Sequence, residues 1–401
     1  MKGRRRFNAF VAQRIFLCDS VQHQRGRPRA LFITPHKSET HNLQQHHRYF
    51  DAKQMSSIMR KHDSPSTRPF LWAAFLLVKP ALSRAWAQTK HTPPSIFAPA
   101  STPAHEIFGL SMFVLAITGG IFVVVGGLLT FAIIRYRSRK DDDASEPPQI
   151  YGSVQVELAW TVVPVLIVVV LFLTTARIIF AVQDAPEPKD ALDVTVVGHQ
   201  FWWEFRYPKL GIVTANELHV PVKQATFLHL LSADVMHSFW VPELAGKTDL
   251  IPNHPNDMWI APQRTGLFLG QCAQFCGPEH AKMLLRVYVD TPEQFQAWVK
   301  DQQQPAVDDA AVAAGRHLFE TQACTNCHAV NGTAAIGTFG PDLTHLATRD
   351  TIAAGAVKNT PQDLHEWIKD PAHFKEGVLM PAMQLSDPQI DQLVAYLDTL
   401  K

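Results

Sequence analysis

Residues 272–283 read Cys-Ala-Gln-Phe-Cys-Gly-Pro-Glu-His-Ala-Lys-Met, placing two cysteines, a histidine and a methionine within twelve residues. Thiolate and thioether are soft ligands and imidazole is borderline, a mixture that suits copper better than calcium or magnesium. A single blue-copper ion needs one cysteine, so the second needs its own explanation; two thiolates at this spacing could bridge a pair of coppers. Another ligand is expected from elsewhere, and His237, in Asp-Val-Met-His-Ser-Phe-Trp, is the candidate. A Cys272–Cys276 disulfide or a zinc site would use the same cysteines, but neither needs the methionine or the distant histidine.

A second reactive cluster is Cys324-Thr-Asn-Cys327-His328. In a secreted context Cys-x-x-Cys-His is the covalent haem c attachment signature, with two thioethers holding the porphyrin and the histidine on the iron. Thioredoxin-like and zinc motifs also use Cys-x-x-Cys, but zinc would need further ligands and no second cysteine pair follows. Four of the five cysteines of this 401-residue chain lie in these two motifs, which is not the pattern of a disulfide scaffold. Cys18 stands alone.

The elements that must position these groups differ sharply in composition. Residues 107–134 and 158–176 carry no charged side chain, and each run is long enough for a membrane-spanning helix, which needs about 20 apolar residues. Arg135, Arg137, Arg139 and Lys140 follow the first run, so the positive-inside rule puts that end in the cytoplasm. The expectation is a hairpin over 105–182, with helices at about 106–135 and 157–181 and both outer ends across the membrane. From 190 to 299 the period changes. Short β-rich runs at 194–197, 201–207, 227–231, 258–260, 266–269 and 284–288 are separated by Pro, Gly and Asn, which reads as an all-β sandwich or barrel. Residues 300–307 read as a polar linker. Residues 308–401 open with a helical stretch at 312–320 and close with a helix at 387–400, whose Ile390, Leu393, Val394, Tyr396 and Leu397 form one apolar face.

The N-terminal part is of another kind. Residues 1–62 hold 13 Lys+Arg against 3 Asp+Glu and show no apolar period that could bury a core. Residues 59–87 combine a basic start, a short apolar run and Ala85-Trp-Ala87, the pattern of a signal peptide cleaved after Ala87. Residues 1–58 are therefore expected to be either a basic disordered arm or an extension upstream of the true start, at Met59 or Met55. By contrast the last two modules are acidic, with 13 acidic against 8 basic side chains over 184–299 and 12 against 6 over 308–401. That balance suits a basic partner steered by charge.

Taken together, these motifs resemble subunit II of haem-copper cytochrome oxidases, in the bacterial (caa-type) form with a cytochrome c fused at the C-terminus. The resemblance spans residues 106–400. It implies a multi-domain membrane protein: a two-helix transmembrane hairpin, an all-β cupredoxin-like domain and an all-α class I cytochrome c domain. It implies a binuclear copper centre (CuA) held by His237, Cys272, Cys276, His280, Met283 and the backbone carbonyl of Gln274. It implies that the motif is set in a loop between late strands, with His237 on another loop. The resemblance also implies haem c on Cys324, Cys327 and His328. Gly340-Pro341 resembles the turn whose proline carbonyl holds the proximal histidine, and Met380-Pro381 the segment that supplies the sixth ligand, with Met383 the runner-up.

Glu157-Leu-Ala-Trp-Thr-Val-Val-Pro resembles the family's signature at the mouth of a proton-uptake path, against the plainer reading of a first-turn glutamate favoured by the helix dipole. His199-Gln-Phe201-Trp202-Trp203 matches the family's aromatic patch beside the copper site. Phe201 stands where many relatives carry the tryptophan that accepts electrons from soluble cytochrome c, and Trp203 reads equally well as core. Gln274 stands where many relatives have a glutamate that helps bind magnesium; an amide is a weaker ligand for a hard cation, so no magnesium contact is expected.

The function implied is a proton-translocating terminal oxidase, with oxygen reduced in subunit I. Its electrons would come from a cytochrome c or cytochrome bc donor. The chain would lie in the bacterial inner membrane with both soluble domains on the periplasmic side. The small subunit of a CuA-containing nitric oxide reductase and a copper carrier or assembly protein are the alternatives. A quinol-oxidase subunit would lack the copper ligands.

Overall fold

A computed structural model describes residues 94–137, 149–183, 188–307 and 309–401. The expected signal peptide, the basic head and the Arg139–Lys140 pair lie outside the described residues.

Two apolar helices come first, α1 (Thr102–Arg135) and α2 (Val154–Gln183). At 1.5 Å per residue they run about 50 and 45 Å, longer than the hydrocarbon core of about 30 Å, so both ends project from a bilayer. Only Pro103 and Ala104 of α1 and none of α2 are buried. Their outer ends are pinned to the next unit. Ala100 N–H donates to the Glu243 carbonyl (2.7 Å), Gln263 N–H to the Ala100 carbonyl (2.7 Å), and Trp259 Nε1 to the Val182 carbonyl (2.6 Å).

A β-sandwich follows. Its first sheet has the order β3-β2-β1-β5-β8, from Ile212–Ala215, Trp202–Tyr207, Leu192–His199, Thr226–Ser232 and Asn256–Ile260. The second has the order β4-β10-β9-β6-β7, from Glu217–Pro221, Leu284–Asp290, Gly266–Cys272, His237–Trp240 and Thr248–Leu250. Pairs β1–β5 and β10–β4 are parallel and the rest antiparallel. Alternation buries every second residue of β10, and Trp203, Phe205, Phe239 and Phe268 meet between the sheets with almost no exposure. Trp203 is thus core, its ring edge-on to Phe239 at 5.6 Å. The short strands β3, β4, β6 and β7 escape a reading of apolar runs because each has five residues or fewer.

The C-terminal unit is helical. Helix α4 (Ala313–Thr321) crosses α8 (Asp387–Leu397), with α5 (Cys324–Cys327), α6 (Pro361–Lys369) and α7 (Pro371–Phe374) between them in the chain. The face expected on the last helix is buried: Ile390, Leu393, Val394, Tyr396 and Leu397. The crossing depends on Gly315, where a β-carbon would stand 1.9 Å from the Gln392 carbonyl oxygen. Besides these helices, β11 (Thr351–Ile352) and β12 (Val357–Lys358) form a two-stranded ribbon.

The linker differs from expectation. Helix α3 (Pro292–Gln302), started by a capping box of Thr291 and Gln294, continues through the residues read as its beginning. Gln302 is buried and its carbonyl meets His345 Nε2 at 3.1 Å. More broadly, the helical unit is docked on the sandwich rather than tethered beside it. Glu217, 3% exposed on β4, accepts hydrogen bonds from Asp350 N–H (3.1 Å), Thr351 N–H (2.9 Å) and Thr351 Oγ1 (2.8 Å). Arg286 Nη1 donates to Thr351 Oγ1 (2.8 Å), Tyr288 to the Asp350 carboxylate, and Lys282 Nζ to the Phe374 carbonyl (2.6 Å). Three hydrogen bonds at about 1 kcal/mol each amount to about a hundredfold in the docked-to-free ratio. Glu217→Ala is therefore expected to raise the rate of proteolytic cutting between residues 303 and 307 by about that factor at most. An unchanged cutting rate in limited proteolysis would show that Glu217 does not hold the two units together.

Candidate metal centre and haem crevice

The β6–β9 register builds the first site. Phe239 pairs with Cys272, so His237, two residues away on the same face, becomes a diagonal neighbour of that cysteine. His237 opens strand β6, whereas a loop had been expected; pairing with Leu250 of β7 extends the ladder that far. Chain then loops from Cys272 to Met283 and closes on itself, with Cys272 N–H donating to the Met283 carbonyl (2.9 Å).

Within that loop the soft donors converge. Cys272 Sγ lies 3.9 Å from Cys276 Sγ, about twice a disulfide bond, and both thiols are free. Cys272 Sγ stands 3.9 Å from His237 Nδ1 and 3.2 Å from the Gln274 carbonyl oxygen. Cys276 Sγ stands 3.7 Å from His280 Nδ1 and 3.9 Å from Met283 Sδ. The other four expected groups therefore surround one sulfur pair, and ligand atoms of His237, Cys272 and Cys276 lie within 4.8 Å of one another. Cys272, Cys276, His237 and Met283 are buried.

Electrostatics at this point fit a cation. Contact with the Cys276 thiol pushes Cys272 down to about 3, burial opposing and His237 assisting, while the same contact and burial push Cys276 up. One thiolate forms readily and the second does not, because two like charges at this distance repel unless a positive ion lies between them. Soft sulfur, imidazole nitrogen and that charge requirement together suit a copper pair.

Sequence reading missed two supporting residues. Asp234 Oδ1 accepts from His237 Nε2 (2.7 Å), which leaves Nδ1 facing the cysteines. Burial alone would lower the His237 pKa, but the bonds to Asp234 and Cys272 raise it. Gln200 donates its backbone N–H to Asp234 Oδ2 (2.6 Å) and its side-chain Nε2 to the Cys276 carbonyl (2.6 Å). The three-residue spacing from Asp234 to His237 was visible, whereas the contact of Gln200 with Cys276, 76 residues away, was not.

Haem-motif residues line a cavity of about 270 Å³. Cys324 and Cys327 sit at the two ends of one helical turn, and both border it with His328, Met380 and Met383. His328 Nδ1 donates to the Pro341 carbonyl at 2.7 Å, leaving Nε2 free to ligate, and burial lowers its pKa so that the ring is neutral. Two thiols, a free imidazole nitrogen and thioethers on one apolar cavity fit haem c. The sandwich supplies part of the wall through Gln200, Phe201, Trp202 and Asn216. Phe201 is 5% exposed, and a β-carbon on Gly277 (φ +140°) would come within 2.8 Å of its ring. Trp202 is partly exposed and stacks on His199 at 4.2 Å.

Glu157 stands apart from both sites. It lies exposed in the first turn of α2, at the hairpin end opposite the sandwich, and its backbone carbonyl accepts from Thr161 Oγ1 (2.8 Å).

The sequence matches the family described as cytochrome c oxidase subunit II, transmembrane domain, over residues 88–178. It matches cytochrome c oxidase subunit II, periplasmic domain, over 209–289, and cytochrome c over 312–401. Cytochrome c oxidase subunit 2 of Alkalihalophilus pseudofirmus is 36% identical over 300 residues, covering 73% of this chain and 85% of the relative. That of Bacillus sp. strain PS3 is 34% identical, covering 66% and 80%. The solved periplasmic domain of subunit II of cytochrome oxidase from Bradyrhizobium japonicum is 29% identical, covers 29% of this chain and 96% of that one, and has a TM-score of 0.28.

Removing the carboxylate behind a metal-bound histidine typically costs 10–100-fold in affinity. Asp234→Asn is expected to weaken copper retention by about that factor, read by competition with a chelator. Retention equal to the parent chain would show that Asp234 does not orient His237.

Proposed function

The chain belongs to the cytochrome c oxidase subunit II family, making it a membrane-embedded subunit of an oxidoreductase complex, and from that premise we propose that it is the electron-entry subunit. Its C-terminal haem unit faces an external cytochrome c donor, and its copper loop faces subunit I. Bound in their sites, haem c and a copper pair would supply one-electron chemistry, so that the chain carries electrons from that donor toward the oxygen-reducing haem/copper site of subunit I, coupled to proton translocation. Both soluble units then lie on the periplasmic side of the bacterial inner membrane, the polarity that Arg135 and Arg137 at the far end of α1 support.

Each residue has a physical task in this reading. Cys272, Cys276, His237, His280, Met283 and the Gln274 carbonyl are the groups that would hold the two coppers, and the sandwich would keep water from them. Cys324, Cys327, His328 and Met380 are the residues that would hold the haem, with His328 oriented by the Pro341 carbonyl. Phe201 and Trp202 form the wall between the two sites. Glu157, at the end of the hairpin away from both, admits protons to a path in subunit I.

The observation that carries the reading is the sulfur pair ringed by His237, His280, Met283 and the Gln274 carbonyl. One optical spectrum of the purified assembly tests it. A haem c absorption band and a near-infrared band of mixed-valence copper are expected. Loss of the latter alone in Cys276→Ser would tie it to this loop, and its absence from the parent would overturn the copper assignment. For the proton path, Glu157→Ala is expected to slow proton uptake and turnover together. Unchanged values in both would leave Glu157 as an ordinary first-turn glutamate.

A further inference from the structure

The loop from Cys272 to Met283 is fastened from two sides, and only one of them belongs to the sandwich. Its first half is held there: Ala273 N–H donates to the Ser238 carbonyl (2.9 Å) and Gln200 Nε2 to the Cys276 carbonyl (2.6 Å). Beyond Cys276 the backbone bonds are local, with His280 N–H donating to the Gly277 carbonyl (3.1 Å) and Lys282 N–H to the Glu279 carbonyl (3.0 Å). Among the described residues, one hydrogen bond of 277–282 leaves the loop, and it goes to the helical unit: Lys282 Nζ donates to the Phe374 carbonyl (2.6 Å). Phe374 ends α7, where the last carbonyls have no partner inside the helix, and its ring lies 6.2 Å from that of Trp367. Gly377 packs directly on the same half of the loop. A β-carbon there would stand 3.1 Å from Pro278 Cβ and 3.2 Å from Pro278 Cγ. Glu279, the next residue, is 5% exposed, and its carboxylate stands 3.5 Å from Lys282 Nζ. His280 and Met283, two of the expected copper ligands, are carried by this half. A mobile ligand loop must be ordered when a metal binds, which lowers affinity; a loop fixed beforehand avoids that loss.

We propose that the Phe374–Gly377 segment of the helical unit is a clamp on the copper loop, so that docking of the helical unit and retention of copper are coupled. This rests on the copper reading above. Lys282 and Gly377 are positioning residues: neither offers a ligand, and each acts through His280 and Met283. Coupling of this kind is reciprocal. Docking orders the second half of the loop for its metal, and a loop ordered by its metal presents Pro278 and Lys282 to the helical unit, favouring docking by the same factor.

The test uses the purified whole oxidase, with its thiols kept reduced, and two readouts: copper retention in competition with a chelator, and the rate of proteolytic cutting between residues 303 and 307. Lys282→Met is expected to lower copper retention by about tenfold at most, the scale of one hydrogen bond from a charged donor, and Lys282→Arg to restore it. Gly377→Val, which drives a side chain into Pro278, should lower retention and speed cutting together. Glu217→Ala reports on the coupling itself, because it loosens docking through β4 without touching the loop; it should lower retention as well. Conversely, stripping copper from the parent should speed cutting. Where Gly377→Val fails to fold, Lys282→Met and Glu217→Ala carry the test. Parent-like retention in variants whose cutting has accelerated would overturn the coupling, as would a parent whose cutting is the same with and without copper. Retention and cutting both unchanged in all three variants would show that the segment clamps nothing. A parent enzyme that binds no copper would instead overturn the copper reading on which the proposal stands.

Discussion

Two adjacent residues on a β-turn, Gln200 and Phe201, join everything that matters in this molecule. Gln200 holds the copper loop through the Cys276 carbonyl and the His237 carboxylate partner through Asp234. Phe201 accepts from Lys375 of the haem unit and packs where Gly277 leaves room for its ring. Electron transfer between two centres needs a fixed separation more than a strong attraction. Here that separation is set by short hydrogen bonds and a buried aromatic rather than by the length of a linker. A flexible tether raises encounter frequency through effective concentration. A docked unit removes the encounter altogether, and the bonds made by Glu217, Arg286 and Lys282 are those of a docked unit.

How much of this the sequence disclosed follows from the range of each interaction. Cys272, Cys276, His280 and Met283 lie within one loop, and Cys324, Cys327 and His328 within one turn, so their spacing alone carried the chemistry. The charge-free runs disclosed the hairpin because a bilayer imposes length and polarity on every residue of a span. Contacts across long separations were hidden. Glu217 meets Thr351 at a distance of 134 residues, and Lys375 meets Phe201 at 174. A buried glutamate in a five-residue strand has no periodic signature, and a lysine in a loop reads as solvated until its surroundings are known. The polar stretch at 300–307 misled for the same reason: its glutamines cap a helix and reach neighbouring units, which composition does not distinguish from a solvated linker.

The hairpin and the sandwich are also one construction. Ala100, Ser101 and Thr102 pair with residues 261–263, and Trp259 bonds to the last turn of α2, so both helix ends are fixed to the strand side of the sandwich. Helices with no buried face of their own need apolar surroundings along their whole length, which lipid and neighbouring subunits of an oxidase provide. Fixing their ends orients the sandwich on the membrane surface. The copper loop then has a set direction, and its large apolar side chain Phe275 stands 74% exposed.

This arrangement gives physical content to the phenylalanine at position 201. An aromatic that receives electrons from a soluble donor must present an edge to solvent, and Phe201 presents 5% of its surface, its ring packed in the sandwich core beside Gly277 and its carbonyl accepting from Lys375. Once covered, the position no longer needs an indole nitrogen for an aqueous rim; it needs a ring that packs against glycine and a carbonyl free to accept from a lysine. Trp202 alone of the pair keeps part of its surface, stacked on His199. On the helical unit Ile336, Phe339 and Leu379 stand exposed, and the acidic balance of residues 308–401 acts on whatever charged partner approaches. At position 201 the ring thus serves as interior packing where the sandwich meets the helical unit.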